Sequence, residues 1–426
     1  MGSLSPTTAQ PSIRWVQARP STMGEMNSDP TAASSLALKR LCPALQNKTY
    51  FNYGGQGPLP TPSLEAITAS WQRIQELGPF TTDVWPFIAA EVNSTRRRLA
   101  ELCGVPPHRL ALSENVTSGC VLPLWGLPFD AGDRLLISDC EHPGVVAACV
   151  ELARRQGLSI DTLPVKHLRG DQPSTDAGLG EALQQSLSPR TRLVVLSHLL
   201  WNTGQIMPIS AVADQLNQHP RQPFLLVDAA QSFGQIPVAE AAASSDIYAF
   251  TGHKWACGPE GLGGVALSER VLEQGQPTLI GWRSLRDESK ADLSSADPFH
   301  HDSRRFEVAT SCVPLMAGLR SSLDLMEQHG NAESRWQRIQ TLSRVLWQRL
   351  SALAAVSPLL NQPPASGLVS FQISDAPPPA DLVKQLGREG IWIRDLADPS
   401  CLRACTHICT SDEEIDKLIA AISTIS

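Results

Sequence analysis

In PFLLVDAAQSFG (residues 223–234) an unbroken apolar run, Phe224 to Val227, stops at Asp228. Alternation of apolar and polar residues marks a strand with one wet face. An unbroken run marks a strand buried on both faces, the signature of a parallel sheet covered by helices. RLVVLSHLL (192–200), DRLLISD (133–139), RLALS (109–113), IYAFTG (247–252) and GGVALS (263–268) read as further strands. Between them SLEAITASWQRIQELG, AAEVNSTRRRLAELCG, NVTSGCVLPLWGL, GVVAACVELARRQG and ISAVADQLNQH carry helical spacing. Strand–helix alternation of this kind predicts an α/β domain with a mostly parallel sheet. From about residue 312 the texture changes. Two long helical stretches, Pro314–His329 and Ala332–Leu353, precede GLVSFQIS, ADLVKQLGREG, WIRDL and DEEIDKLIAAIST, a smaller α+β unit. The expected division is a tail over 1–38, a large domain over 59–311, and a small domain over 39–58 and 312–426.

The chain has 426 residues, room for two domains. Its net charge of −7 gives no reason to expect nucleic acid or an anionic membrane surface as partner. No apolar run approaches the roughly 20 residues that cross a bilayer. The first forty residues are rich in Ser, Thr and Pro and hold no apolar core of a signal peptide; they read as a disordered tail. The ten cysteines include no C-x-x-C pair. Cys401, Cys405 and Cys409 are spaced for one face of a helix, with His407 as the one other ligand nearby. Free thiols of a reducing cytosol are expected, with no metal.

Ligands of such sheets sit at the carboxyl ends of the strands. Asp228 stands at one of those ends. Taken alone it is either a turn cap or the partner of a cation. The segment FTGHKWACGPEGLGG (250–264) raises a second question, because Lys254 lies in an apolar, glycine-rich run. Taken alone it is a loop lysine, or a desolvated amine kept neutral for nucleophilic attack. An Asp at one strand end and a Lys 26 residues later at the next are the two poles of a pyridoxal phosphate site. The Asp keeps the pyridine nitrogen protonated and the Lys forms the imine.

VDAAQSFG…AFTGHKWACGPEGLGG resembles the class V aminotransferase-like group of fold type I pyridoxal phosphate enzymes, which includes the cysteine desulfurases. GGQGPLP, SDCEHPG, LSHLLWNTGQ, GWRS, RRFEVATS and ADPSCLRAC are similar to the cystine/cysteine C–S lyases of cyanobacterial type, and the likeness runs from residue 48 to the last helix. The resemblance implies a large domain with a seven-stranded sheet between helices, and pyridoxal 5'-phosphate as cofactor. It implies that His142 stacks on the cofactor ring, that Thr117 and Ser118 at a helix start hold its phosphate with His253, and that Gln231 meets its phenolic oxygen. Asn202 is implied near cofactor and substrate carboxylate. Trp282 is implied at the mouth of the site. Arg403 is implied for the α-carboxylate and Arg394 for the distal end of the substrate. Thr310 would be donated across a homodimer interface to the neighbour's phosphate, although Ala309 stands where the family pattern has Gly.

Cysteine desulfurases carry a nucleophilic cysteine on a loop between the two arginine segments. Here eight residues, DLADPSCL, separate Arg394 from Arg403. Cys401 lies among them and reads as a packing residue. The expected reaction is therefore β-elimination on cystine or cysteine in the cytoplasm, with iron–sulfur supply as a family-level expectation. A desulfurase, a transaminase or an epimerase of the same group stays open.

Overall fold

The computed structural model describes residues 36–425 except 289, 291–293 and 296. A short strand β1 (Thr49–Tyr50) precedes the large sheet. That sheet is built from β2 (Leu110–Ser113), β3 (Arg134–Ser138), β4 (Ser159–Leu163), β5 (Thr191–Ser197), β6 (Phe224–Asp228), β7 (Ile247–Thr251) and β8 (Gly263–Leu267). Its spatial order is β2-β8-β7-β6-β5-β3-β4. Neighbours from β7 to β4 pair in parallel, and β8 runs antiparallel to β7 and β2. Every residue of β6 and β7 is buried, as the unbroken apolar runs demand. The chain leaves β3 for β4 on one side and returns to β5 on the other. The connections at the carboxyl ends therefore diverge and open a crevice there.

The smaller sheet takes β9 (Val356–Pro358), β10 (Leu368–Ile373), β12 (Arg394–Ala397) and β13 (Ser400–Cys405), antiparallel in the order β12-β13-β10-β9. Strand β11 (Ile391–Trp392) pairs in parallel with β1, which stitches the N-terminal segment to this unit. Phe51, Leu346, Phe371, Leu402 and Ile415 share its core.

Four expectations differ from the structure. Helix Val313–Gln328 does not open the small domain. Its Met316, Leu319 and Leu323 join the core of the large sheet, and Gly318 lets it approach helix Thr61–Leu77 so closely that a Cβ there would stand 2.5 Å from Ile67. The next helix, Ala332–Ser351, bridges the two cores, with Ile339 in the first and Leu342 and Leu346 in the small one. Helical periodicity names a buried face but not its partner. Second, the expected tail lies outside the described residues up to 35, but residues 36–40 are helical and Leu38 is buried. Third, Cys401 and Cys405 lie on a strand, not a helix. Among the described residues no group of His, Cys, Asp and Glu is placed to hold a metal. Fourth, WIRDL splits at Ile393 into two strands that serve different sheets. Among the described residues no helix is long and apolar enough to cross a membrane.

Candidate active site

At the carboxyl ends of β3, β5 and β6 a cavity of ≈ 270 Å³ opens between the two units. His142, Asp228, Gln231 and Lys254 line it from the large unit, Arg394 and Arg403 from the small one. Gly54 and Gly55 close it from the N-terminal segment. A larger groove of ≈ 800 Å³, beside residues 45–49 and the last helix, holds none of the residues expected from sequence.

Asp228 ends β6 and is 4% exposed; its Oδ1 accepts a hydrogen bond from Ala230 N at 2.8 Å. Burial raises its pKa, while the charges of Lys254 and His142 pull it back. Lys254 sits in the turn after β7. Burial pushes its amine down to about 8, so about a tenth of it is neutral and nucleophilic at pH 7, far more than for an ordinary lysine. His142 caps helix Pro143–Gln156 through Nδ1, which accepts from Gly144 N at 3.2 Å. An accepting Nδ1 leaves the ring proton on Nε2, and burial favours that neutral form.

Helix Val116–Leu124 points its N-terminus at the cavity through Val116. Of the two residues expected there, Ser118 gives its N–H to the Asn115 cap at 2.9 Å. The first-turn N–H groups of Val116 and Thr117 have no intrahelical acceptor and form the anion-binding end. His253 is half-buried, with Nδ1 2.7 Å from Thr251 Oγ1. Gln231 donates from Nε2 to Gly54 O at 2.9 Å and accepts from Trp255 Nε1 at 2.9 Å.

Arg394 and Arg403 face each other directly in the β12–β13 hairpin. Like charges in register repel, so this pairing asks for an anion between them. Arg403 is 3% exposed. Its Nη1 donates to Trp201 O at 2.6 Å, and its Nε has no partner.

Thr117, Ser118 and His253 lie within two residues of lining residues without lining the cavity themselves, and three further expected residues lie elsewhere. Asn202 is buried behind the wall, where its Oδ1 accepts from Thr203 N, and Trp201 lines the cavity in its place. Trp282 packs under Arg283, whose guanidinium lies 4.4 Å above the indole. Thr310 is exposed and outside the cavity of its own chain. Gly281 abuts Val308 so tightly that a Cβ would stand 2.0 Å from its carbonyl. Trp282 and Thr310 therefore share one surface patch, beside exposed Leu279 and Ile280.

The residues missed by sequence reasoning include Gly54, Gly55, Ser197 and Trp201. The signal for the glycines was the run GGQG. Gly57 donates its N–H to His253 O at 2.8 Å, and a Cβ on it would stand 2.1 Å from Lys254 O. Gly57→Ala is therefore expected to displace the lysine turn. Overpacking of this kind destabilises by about 1–3 kcal/mol, a fall of several degrees in melting temperature by calorimetry.

The donor set fits pyridoxal phosphate. A buried carboxylate with no cationic hydrogen-bond partner faces a lysine whose amine is depressed to about 8. A helix N-terminus offers N–H groups to a phosphate. Gly54 leaves a recess where a Cβ would stand 2.9 Å from both Arg403 Nη2 and Gln231 Oε1. Asp228 would hold the ring nitrogen, His142 the ring face, Val116 and Thr117 the phosphate, and Lys254 the aldehyde carbon.

Comparison with known proteins agrees. Residues 86–418 match the family model of aminotransferase class V. The structure of the cystine C–S lyase C-DES in complex with its reaction product cysteine persulfide superposes with a TM-score of 0.85 at 41% identity, covering 90% of this chain and 99% of that one. A C-DES variant with glycine covalently linked to pyridoxal phosphate gives a TM-score of 0.86 at 40% identity, over 91% and 99% of the two chains. The isopenicillin N epimerase of Streptomyces clavuligerus is 28% identical over 97% of this chain and 98% of its own. The cysteine desulfurase of Haloferax volcanii is 27% identical over 76% of each. The chain belongs to the class V aminotransferase family, as a pyridoxal phosphate-dependent enzyme of the cysteine desulfurase and C–S lyase type.

Proposed function

We propose that the protein catalyses β-elimination at the C–S bond of L-cystine, and more slowly of L-cysteine. With cystine and water the products are pyruvate, ammonia and cysteine persulfide. One observation carries the choice over a desulfurase. Strands β12 and β13 are joined by the two residues Asp398 and Pro399, so no loop remains to carry a nucleophilic thiol to the substrate. Cys401 lies on β13, 1% exposed, and burial pushes its thiol up to about 12. A thiol so held is a poor nucleophile.

Bound in the cavity, pyridoxal phosphate supplies an electron sink conjugated to the substrate Cα. The Lys254 amine, depressed to about 8, takes the Cα proton. Asp228 holds the ring nitrogen in its protonated state. Arg403 takes the α-carboxylate and the exposed Arg394 the distal one, which gives two guanidinium groups two carboxylates to bind. A persulfide leaves more readily than an alkyl thiolate, which favours cystine. The likeness to the C-DES lyase supports the same choice. The protein acts as a homodimer: the patch of Leu279, Ile280, Trp282 and Thr310 faces the partner, and Thr310 reaches the partner's cofactor phosphate. We extend the proposal to a cytoplasmic role in supplying sulfur for iron–sulfur clusters, for which a persulfide is a suitable donor.

Incubation with cystine and with cysteine, followed by assay of pyruvate, alanine and persulfide, tests the reading. Pyruvate and free persulfide, faster from cystine, are expected. Alanine with protein-bound sulfur would overturn it in favour of a desulfurase. Inverted Cα configuration without pyruvate would favour an epimerase, the activity of the Streptomyces relative. Cys401→Ala is expected to keep pyruvate formation within about threefold of the parent, since its loss leaves only a small packing defect. An inactive, folded variant would count against the lyase.

A further inference from the structure

Glu141 stands between Cys140 and His142 in the loop after β3. It is 7% exposed, yet carries a carboxyl group. Three donors converge on that group. Ser138 Oγ donates to Oε1 at 2.5 Å, Ser197 N to Oε1 at 2.7 Å, and Ser197 Oγ to Oε2 at 2.8 Å. Ser138 Oγ in turn accepts from Cys140 N. Ser138 ends β3 and Ser197 ends β5, and Ser197 lies in register with Asp228 across the β5–β6 pair. A donor set of this kind favours the ionised form against the cost of burial. Burying a carboxylate is expensive, and a neutral amide would close the same loop at lower cost.

We propose that Glu141 is a positioning residue for the cofactor site: its carboxyl group clamps the ends of β3 and β5, aims the adjacent His142 over the cavity, and in its ionised form adds negative charge behind Asp228. The proposal rests on the assignment of Asp228 and Lys254 to pyridoxal phosphate. The groups that face Glu141 are few. Cys120 comes from helix Val116–Leu124, Cys149 from helix Pro143–Gln156, Cys140 and His142 from its own loop, and Asp228 from β6, with Lys254 beyond. Burial holds the three thiols neutral, with Cys140 and Cys149 pushed up to about 12. Burial and the charge of Asp228 push Glu141 up to about 7, against the pull of its serine donors. In its ionised form Glu141 adds to the negative charge of Asp228, which faces Lys254.

The test uses Glu141→Gln in the reconstituted full-length protein. Glutamine keeps an acceptor for Ser138 and for Ser197 N–H, and its amide can donate to Ser197 Oγ, so only the charge is lost. The readout is the pH titration of the visible absorbance, which follows the proton on the nitrogen joining Lys254 to the cofactor. Loss of a nearby anion destabilises the protonated form, so the midpoint is expected to fall by about one pH unit. Ser138→Ala, which keeps the charge and removes one donor, is expected to move it much less. A midpoint unchanged in a folded Glu141→Gln protein overturns the proposal. If that variant does not fold, Ser197→Ala takes its place. It leaves Oε2 with no donor, whereas Ser138→Ala leaves Oε1 held by the Ser197 N–H, so it should lower the midpoint by more than Ser138→Ala and less than Glu141→Gln; no movement there also overturns the proposal. A parent protein that gains no visible band on reconstitution sinks the cofactor assignment itself, a separate failure.

Discussion

Lys254→Ala loses turnover of cystine by about 10³-fold, within the span that a positioned acid–base group supplies. Two properties of the lysine give the size of the effect. In the proposed site its amine is the covalent anchor of the cofactor, and burial to about 8 makes it a base competent near neutrality. Alanine removes both and leaves Asp228, His142 and the helix N-terminus in place, so cofactor should still bind but exchange on dialysis. The parent protein gives a second reading of the same group. The amine attacks the aldehyde only when neutral. The rate of reconstitution should therefore rise with pH up to about 8 and flatten above it, rather than climb to the ordinary lysine range near 10.5. Stopped-flow absorbance across pH 6.5 to 9.5, a span of about three units chosen around that value, checks the profile. Turnover surviving in Lys254→Ala, or a rate still climbing at the alkaline end, would remove the lysine from its role.

How far such a site can be read in advance depends on the distance over which each residue is specified. Strands β5 and β6 announce themselves locally, because burial on both faces leaves no polar position in LVVL or FLLV. Asp228 and Lys254 follow from their strand ends. By contrast β4, SIDTL, is an edge strand with most of its side chains wet, and its polar alternation hides it among loops. Arg394 and Arg403 are visible as residues, but that they face each other depends on a two-residue turn that places them in register. Asn202 and Trp201 are neighbours in sequence. Which of the two meets the cavity is settled by Ser370 Oγ, which donates to Asn202 O from across the domain boundary. Glu141 is the extreme case. A carboxylate in a loop reads as solvated, and its partner Ser197 lies 56 residues away.

The same long-range logic bears on the other pole of the site. Asp228→Asn is expected to lower turnover by roughly 200- to 5,000-fold and to weaken cofactor binding in parallel. Asparagine is nearly isosteric, and its Oδ1 can keep the hydrogen bond from Ala230 N, so the strand end and the fold remain. What it cannot do is balance a positive ring nitrogen. Breaking one side of a buried ion pair costs about 3–5 kcal/mol, which converts to that fold-change. Equilibrium dialysis of the cofactor and initial rates of pyruvate formation measure the two effects, with thermal melting as the check on folding. Asp228 sits where burial already raises its proton affinity. In the proposed site an ion pair with the ring nitrogen would keep it charged, and removing either partner would leave the other uncompensated. Equal loss in cofactor affinity and in rate would place the interaction in the resting protein. A larger loss in rate would place part of it in the step where the ring takes up electrons. An Asp228→Asn protein with the parent's rate and affinity would mean that the buried carboxylate serves only the turn at Ala230, the bland alternative that its sequence position leaves open.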